Sequence, residues 1–200
     1  LFGLVAGYKT QTIAPQNHVN IRAAERMGRL HDALKSAGYD GHPLEVLLVR
    51  LLFCLFADDT AIFQPAQSFR ALIEERSASD GSDLGPRLAQ LFQVLNTPEE
   101  RRNRNLDEQL AAFSYVNGKL FDEPLPIADF DAATREALLD ACALDWAGIS
   151  PAIFGSLFQS IMDSAARRNL GAHYTSEENI LKLIGPLFLD ELRAEFAKVR

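Results

Sequence analysis

Cysteine is scarce in this sequence, with two among 200 residues, and this scarcity excludes a fold that depends on several disulfide bonds. Cys54 and Cys142 each lie in an apolar run, with no second cysteine near enough for a metal knuckle or a redox pair. A chain of this length can bury about 70% of its unfolded surface, so its core needs no such cross-link. We interpret both cysteines as core residues in a reducing compartment and predict a cytoplasmic protein.

Sequence motifs for catalysis are also absent. Neither G-x-G-x-x-G nor G-x-x-x-x-G-K-[ST] occurs, and there is no G-x-S-x-G nucleophile elbow. The histidines stand at no metal-ligand spacing with one another or with cysteine. We therefore predict no metal site and no catalytic residue within this chain. The four histidines are His18, His31, His42 and His173.

Positive charge is in deficit, since the formal net charge is −7 at pH 7. Nonspecific affinity for nucleic acid comes mainly from Lys and Arg that neutralise phosphates, so a dedicated DNA or RNA binder is excluded and any such contact must be local. We interpret the arginines at 101–104 and 167–168 as solvated helix faces rather than as a nucleic-acid surface. The longest apolar run, residues 44–57, is shorter than the roughly 20 residues of a membrane span, so no membrane partner is expected.

Helical periodicity recurs along the chain, whereas strict apolar and polar alternation is almost absent. We therefore predict a mainly α protein, a compact multi-helix bundle. Residues 15–20 are predicted to form a loop before an amphipathic helix over 21–34. Residues 44–57 are apolar on nearly every face and should form the buried centre of the fold. Further helices are predicted around 69–73, over 86–95, from a capping box at Thr97, and from Asp131, Ser150 and Ser176.

Two stretches lack helical character. Residues 77–85 are rich in Ser, Asp and Gly and are predicted to form a surface loop that tolerates insertions. In the segment 113–130, Asn117 and Gly118 form a strong turn signal, and Pro124 and Pro126 enforce an extended path. This segment is predicted to be either a short hairpin or an ordered extended crossover.

Two consecutive carboxylates, Asp58 and Asp59, follow the apolar helix, where the negative end of the helix dipole disfavours them. The simplest interpretation places them beyond the last turn, capping the segment 60–63. A sharper interpretation is a buried pairing with arginines elsewhere in the chain, for example those at 101–104. A catalytic dyad is the least favoured, because consecutive helical residues point about 100° apart.

One segment has chemical character: Gly171 breaks the chain just before Tyr174, Thr175 and the start of a helix at Ser176. Free backbone N–H groups and the positive dipole end of a helix favour an anion there, such as the carboxylate of an amino-acid-like ligand. An ordinary Ser-capped helix explains the same residues without any ligand.

The run N-L-G-A-H-Y-T-S-E-E-N-I, residues 169–180, resembles the motif G-x-[FY]-Y-T-P that opens the catalytic domain of adenine-N6 DNA methyltransferases. Gly171, Tyr174 and Thr175 match it, His173 replaces the usual aromatic residue and Ser176 the usual Pro. By this resemblance Gly171, His173, Tyr174 and Thr175 would bind the methionine part of S-adenosylmethionine.

The resemblance extends upstream to the helical spacer of MmeI-like type II restriction-modification enzymes. It rests on L-V-R-L-L-F-C-L-F-A-D-D-T-A-I-F (48–63), Y-V-N-G-K-L-F (115–121) and D-W-A-G-I-S-P-A-I-F-G-S-L-F-Q (145–159). In that family the spacer joins a nuclease to the methyltransferase and target-recognition regions.

The resemblance implies a division into a connector with the first helix (1–42), a helical spacer (43–170) and the beginning of a methyltransferase domain (171–200). We expect a catalytically inactive piece of a longer enzyme that uses S-adenosylmethionine, reaches DNA through that parent, and contacts the adjoining nuclease and methyltransferase domains. The alternative is a free-standing α-helical module that binds a protein partner without catalysis.

Overall fold

The computed structural model describes the backbone of residues 15–149 and the side chains of residues 19–149. Within these residues every regular element is helical, which confirms the predicted mainly α class. A single 3₁₀ turn, Glu99–Arg101, lies between the fourth and fifth helices. The α-helices are α1 (Pro15–Ser36), α2 (Gly41–Asp59), α3 (Ser68–Arg76), α4 (Leu84–Leu95), α5 (Glu108–Ala111) and α6 (Ala132–Cys142).

Helix α1 begins at Pro15, so the predicted loop over 15–20 is wrong. Proline lacks a backbone N–H and has a fixed φ, both of which suit the first position of a helix as well as they suit a loop. The predicted apolar stripe is confirmed, since Met27, Leu30 and Leu34 are fully buried. The helix ends before Gly38, whose φ of 89° lies in the left-handed region that favours glycine.

Helix α2 is the predicted apolar helix, and ten of its residues are buried. Between residues 44 and 57 only Glu45 is exposed, which confirms burial on nearly every face. Cys54 is buried and Cys142 on α6 is partly buried, as expected of core residues. Burial of each large apolar side chain stabilises the fold by about 1.5–3 kcal/mol, so α2 contributes a large part of the core.

The helices form a bundle in which α1 packs against α2 and α6, and α3 packs against α2 and α6. Asp131 caps the start of α6, as predicted. Its carboxylate accepts a hydrogen bond from the Thr134 backbone N–H at 2.7 Å, and the Thr134 hydroxyl accepts one from the Asp131 N–H. After α6, the fully buried Trp146 donates its indole N–H to the Ala141 carbonyl at 2.9 Å. The end of α6 is thereby fixed in the core.

The loop predicted at 77–85 is present over residues 77–83, and α4 then begins at Leu84. Gly81 is buried with a φ of 79°, and a Cβ there would overlap the backbone carbonyl of Asp131. The middle of the loop therefore packs on the start of α6. Tolerance of this loop to insertions stays a prediction.

The segment 113–130, hereafter the crossover segment, contains no strand, so it is the ordered extended path and not the hairpin. Its Val116 N–H donates to the Leu95 carbonyl at 2.9 Å, which ties it to the end of α4. The capping box predicted at Thr97 is also wrong. The Thr97 hydroxyl donates back to the Gln93 carbonyl at 2.7 Å, and only the 3₁₀ turn follows.

Candidate functional site: charged side chains that bind the backbone

The residues predicted to bind a cofactor, Gly171, His173, Tyr174 and Thr175, lie outside the described residues, as do the predicted helices from Ser150 and Ser176. Among the described residues, no group of three or more His, Cys, Asp or Glu side chains could hold a metal ion. None of the described helices is long and apolar enough to cross a membrane. The functional features that the structure does place are the contacts that hold its elements in position.

Arg50 lies in the middle of the apolar helix α2 and is only 3% exposed. Its Nε donates to the Leu120 carbonyl at 2.8 Å, and its Nη2 donates to the Glu123 carbonyl at 2.7 Å. A buried charge is stable only when it is hydrogen-bonded, and here two carbonyls of the crossover segment supply the acceptors. Arg50 therefore joins α2 to the crossover segment.

Two aromatic rings complete the surroundings of Arg50. Its guanidinium carbon lies 5.5 Å from the centroid of the Phe92 ring on α4 and 5.6 Å from that of Phe121. Such cation–π contacts contribute more when the charge is desolvated. Burial lowers the pKa of the Arg50 guanidinium, and the Glu123 carboxylate partly offsets this effect. Arg50 thus brings α2, α4 and the crossover segment together.

Two further contacts hold the outer part of the crossover segment. The Tyr39 hydroxyl, just before α2, donates to the Pro126 carbonyl at 2.8 Å. His42 Nε2 lies 2.9 Å from a Glu123 carboxylate oxygen, on the exposed surface. A cavity of about 280 Å³ remains between this segment, α2 and α4. Because the packing there is incomplete, these hydrogen bonds carry much of the attachment of the segment.

Arg102 holds the loop after α4 in place through hydrogen bonds to backbone carbonyls. Its guanidinium donates to four backbone carbonyls at 2.8–3.2 Å. The predicted arginine group at 101–104 is therefore divided, because Arg102 holds the loop together while Arg101 and Arg104 are exposed. The four acceptors are the carbonyls of Val94, Thr97, Ala111 and Phe113.

Arg135 on α6 binds the end of α3. Its Nη2 donates to the Ile73 and Glu74 carbonyls at 3.2 and 3.1 Å, and its Nε donates to the Ser77 hydroxyl at 2.8 Å. These acceptors include carbonyls of the last turn of α3, which lack partners within the helix. On the other side of α6, Arg26 of α1 donates to the Asp140 carbonyl at 2.8 Å. Helix α6 is thus fixed to both α1 and α3.

Asp58 and Asp59 lie within the last turn of α2, so the interpretation that placed them beyond the helix is wrong. Asp58 is buried, and its carboxylate accepts the backbone N–H groups of Phe69 and Arg70 at 2.8 and 3.1 Å. It therefore caps α3 rather than the segment 60–63. Burial raises the pKa of Asp58, while the bonds from Phe69 and Arg70 lower it.

Asp59 accepts the backbone N–H of Trp146 at 2.7 Å, so it binds the chain directly after α6. Neither carboxylate is paired with the arginines at 101–104 among the contacts of the described residues, which overturns that interpretation. Burial was foreseeable for Asp58, but its partners were not, because they lie 11 and 12 residues further along the chain. The pair links the end of α2 to α3 and to Trp146.

The common feature of these contacts is that a charged side chain binds backbone groups of another element. This arrangement fixes the relative positions of helices and loops. Sequence reasoning missed Arg50 and Arg135 altogether. The signal for Arg50 was present, because a single Arg in a helix that is apolar on all sides must find acceptors inside the fold.

Comparisons with known proteins agree with this description. Residues 42–121 match the family model described as MmeI, helicase spacer domain. The chain is 42% identical over 185 residues to DNA methyltransferase A of Bacillus subtilis (strain 168), and this match covers 90% of the chain. A structure of the type IIL restriction-modification enzyme MmeI in complex with DNA matches 90% of the chain with a TM-score of 0.76 and 69% identity.

The chain spans only 21% of the Bacillus methyltransferase and 24% of the MmeI chain. Over the described residues the matched part is helical, with the apolar helix α2 in its core. The family match over 42–121 covers α2, α3, α4, α5 and the first part of the crossover segment. Residues 42–121 belong to the MmeI spacer-domain family, and 90% of the chain is similar to one region of the restriction-modification enzyme MmeI.

Proposed function

We propose that this spacer sets the distance and orientation between a nuclease and a methyltransferase module in one polypeptide. The observation that carries the proposal is the set of charged side chains that bind backbone groups of other elements. Arg50 binds two carbonyls of the crossover segment, and Asp59 binds the backbone N–H of Trp146. A close-packed core resists deformation, and these bonds extend that resistance to the loops and helix ends. Rigidity is then the contribution of this chain to the parent enzyme.

The reaction proposed for the parent is adenine-N6 methylation of DNA with S-adenosylmethionine as the methyl donor. It is supported by the motif at 169–180 and by the likeness to DNA methyltransferase A. Gly171, His173, Tyr174 and Thr175 would position the cofactor, which supplies the methyl group. The proposed domain boundaries are 1–42 for the connector, 43–170 for the spacer and 171–200 for the start of the methyltransferase domain.

The orientation role is tested by single-molecule fluorescence energy transfer in the longer enzyme, with one dye on the region before the spacer and one on the region after it. The unaltered enzyme should give one narrow distance distribution, and Arg50→Met should broaden it. Arg76→Met is the matched control, because Arg76 is exposed and makes no ion pair among the described residues. A distribution that is already broad in the unaltered enzyme would overturn the proposal.

The cofactor role is tested separately with Thr175→Ala in the longer enzyme. Loss of a hydroxyl at the cofactor should weaken binding of S-adenosylmethionine by roughly tenfold and lower methylation accordingly. Unchanged cofactor affinity, measured by calorimetry, would remove this loop from the site. The two experiments are independent, so either part of the proposal can fail alone.

A further inference from the structure

A polar groove of about 390 Å³ lies between α4 and the loop that follows it. Its walls carry hydrogen-bond donors suited to an anion with several oxygens. The donor side chains are Gln90, Gln93, Arg101, Asn103 and Asn105. In an acidic chain such a group of donors is a local exception.

Negative charge is nearly absent from the walls of the groove. Asp107 is the one carboxylate among the residues that line it. Its Oδ1 accepts the backbone N–H groups of Gln109 and Leu110 at 3.0 and 3.4 Å, so this carboxylate is engaged in capping α5. Glu99 and Glu100 are exposed nearby in the sequence but do not line the groove.

Two arginines of this loop are free to bind a partner. Arg101 lines the groove, Arg104 follows in the same loop, and both are exposed with no ion pair among the described residues. Between them, Arg102 binds four backbone carbonyls and fixes the shape of the loop. The backbone of the loop is therefore preorganised, which reduces the entropy lost on binding. By contrast, Arg26, Arg29, Arg70 and Arg87 are all paired with carboxylates.

We propose that this groove and the exposed loop beside it bind the phosphodiester backbone of duplex DNA in the longer enzyme, with Arg101 in the groove and Arg104 on the adjoining loop as the charged contacts. The inference rests on the proposed function, because it requires that the parent acts on DNA. Arg, Asn, Gln and Thr side chains are the usual donors to phosphate oxygens, and such contacts fix register without reading sequence. The groove would therefore position the spacer on the duplex, outside the recognised bases.

The test measures binding of a fluorescein-labelled duplex to the longer enzyme by anisotropy, as a function of salt concentration. Each arginine that neutralises a phosphate contributes about one to the slope of log Kd against log salt. The variant Arg101→Ala/Arg104→Ala should lower that slope by about 2 and weaken binding roughly tenfold at low salt, equally for specific and unrelated sequences. Arg76→Ala serves as the control, since Arg76 lies on α3, away from the groove.

An unchanged slope and affinity in the double variant, with DNA binding by the unaltered enzyme intact, would overturn the groove proposal and leave the proposed function standing. An unaltered enzyme that binds no DNA at all would overturn both. Loss of binding to one sequence only would also contradict the groove proposal, because phosphate contacts do not distinguish sequences. Equal thermal unfolding temperatures for the variant and unaltered enzymes would show that folding is not the cause.

Discussion

Arg50 on α2 donates a 2.7 Å hydrogen bond to the carbonyl of Glu123, which lies 73 residues further along the chain. The bond joins the apolar helix α2 to a segment that has no regular secondary structure. Because the acceptor is a backbone carbonyl, the contact fixes the path of the chain itself and not only a side chain. Arg102 and Arg135 likewise donate to backbone carbonyls, and Asp59 accepts the backbone N–H of Trp146.

Replacing Arg50 by Met should lower the free energy of unfolding by about 2 kcal/mol. Met fills much of the same volume, but it leaves the carbonyls of Leu120 and Glu123 without their charged donor. Urea denaturation measures the change. The exposed Arg104→Met should alter stability by less than about 0.5 kcal/mol, as surface substitutions usually do. Equal stabilities for Arg50→Met and Arg104→Met would contradict the proposed attachment.

The sequence predicted the helices well because their apolar stripes and caps are local signals. Asp131 shows this, since its cap is formed within three residues. The errors have local causes too. Pro15 begins a helix instead of a loop, and Thr97 binds back to Gln93 instead of opening a capping box.

The contacts that fix the bundle could not be predicted in the same way. Arg50 binds residues 70 and 73 positions away, and Asp59 binds a residue 87 positions away. No periodicity in the sequence encodes such separations, because they depend on how the whole bundle packs. The motif at 169–180 lies outside the described residues, so the cofactor site stays a prediction from resemblance.

Asp58 should make the protein more stable as the pH falls through its folded pKa toward 3.8. Burial raises the folded pKa of this carboxyl above 3.8, so the folded state takes up a proton before the unfolded state does. The contribution is therefore fully present below pH 3.8 and is lost as the pH rises through the folded pKa. Comparing unfolding free energies of Asp58→Asn and the unaltered protein between pH 3 and 7 isolates it.

Asp131 provides the matched comparison, because its pKa is shifted in the opposite direction. Its bonds from Thr134 lower its folded pKa below 3.8, so its contribution is present above pH 3.8 and is lost as the pH falls through the folded value. Asp131→Asn should therefore flatten the acid-induced loss of stability, whereas Asp58→Asn should steepen it. The same direction of change in both variants would show that burial does not govern Asp58.

Gly85→Ala should destabilise the protein although Ala is the better helix former by about 1 kcal/mol. A Cβ at Gly85 in α4 would overlap the backbone carbonyl of Ala128 in the crossover segment. The segment would have to move away from α4, and Arg50 would lose its geometry. Thermal unfolding measures the effect.

Gly148→Ala is the control for this substitution. Among the described residues, its Cβ would meet only the Asp145 carbonyl, at an ordinary 3.7 Å. Its unfolding temperature should stay close to that of the unaltered protein. A Gly85→Ala variant that is as stable as Gly148→Ala would show that the crossover segment is not held closely against α4.

Pulsed electron–electron double resonance measures the distance between two spin labels, one on α2 and one on the crossover segment. This measurement tests the rigidity of the spacer most directly. The exposed positions Glu45 and Asp129 can be changed to Cys for labelling. Cys54 is fully buried and burial raises the pKa of Cys142 to about 12, so the native thiols should label poorly. One narrow distance distribution is expected, and it should broaden with Arg50→Met. A broad distribution with Arg50 present, or one that Arg50→Met leaves unchanged, would contradict a rigid spacer.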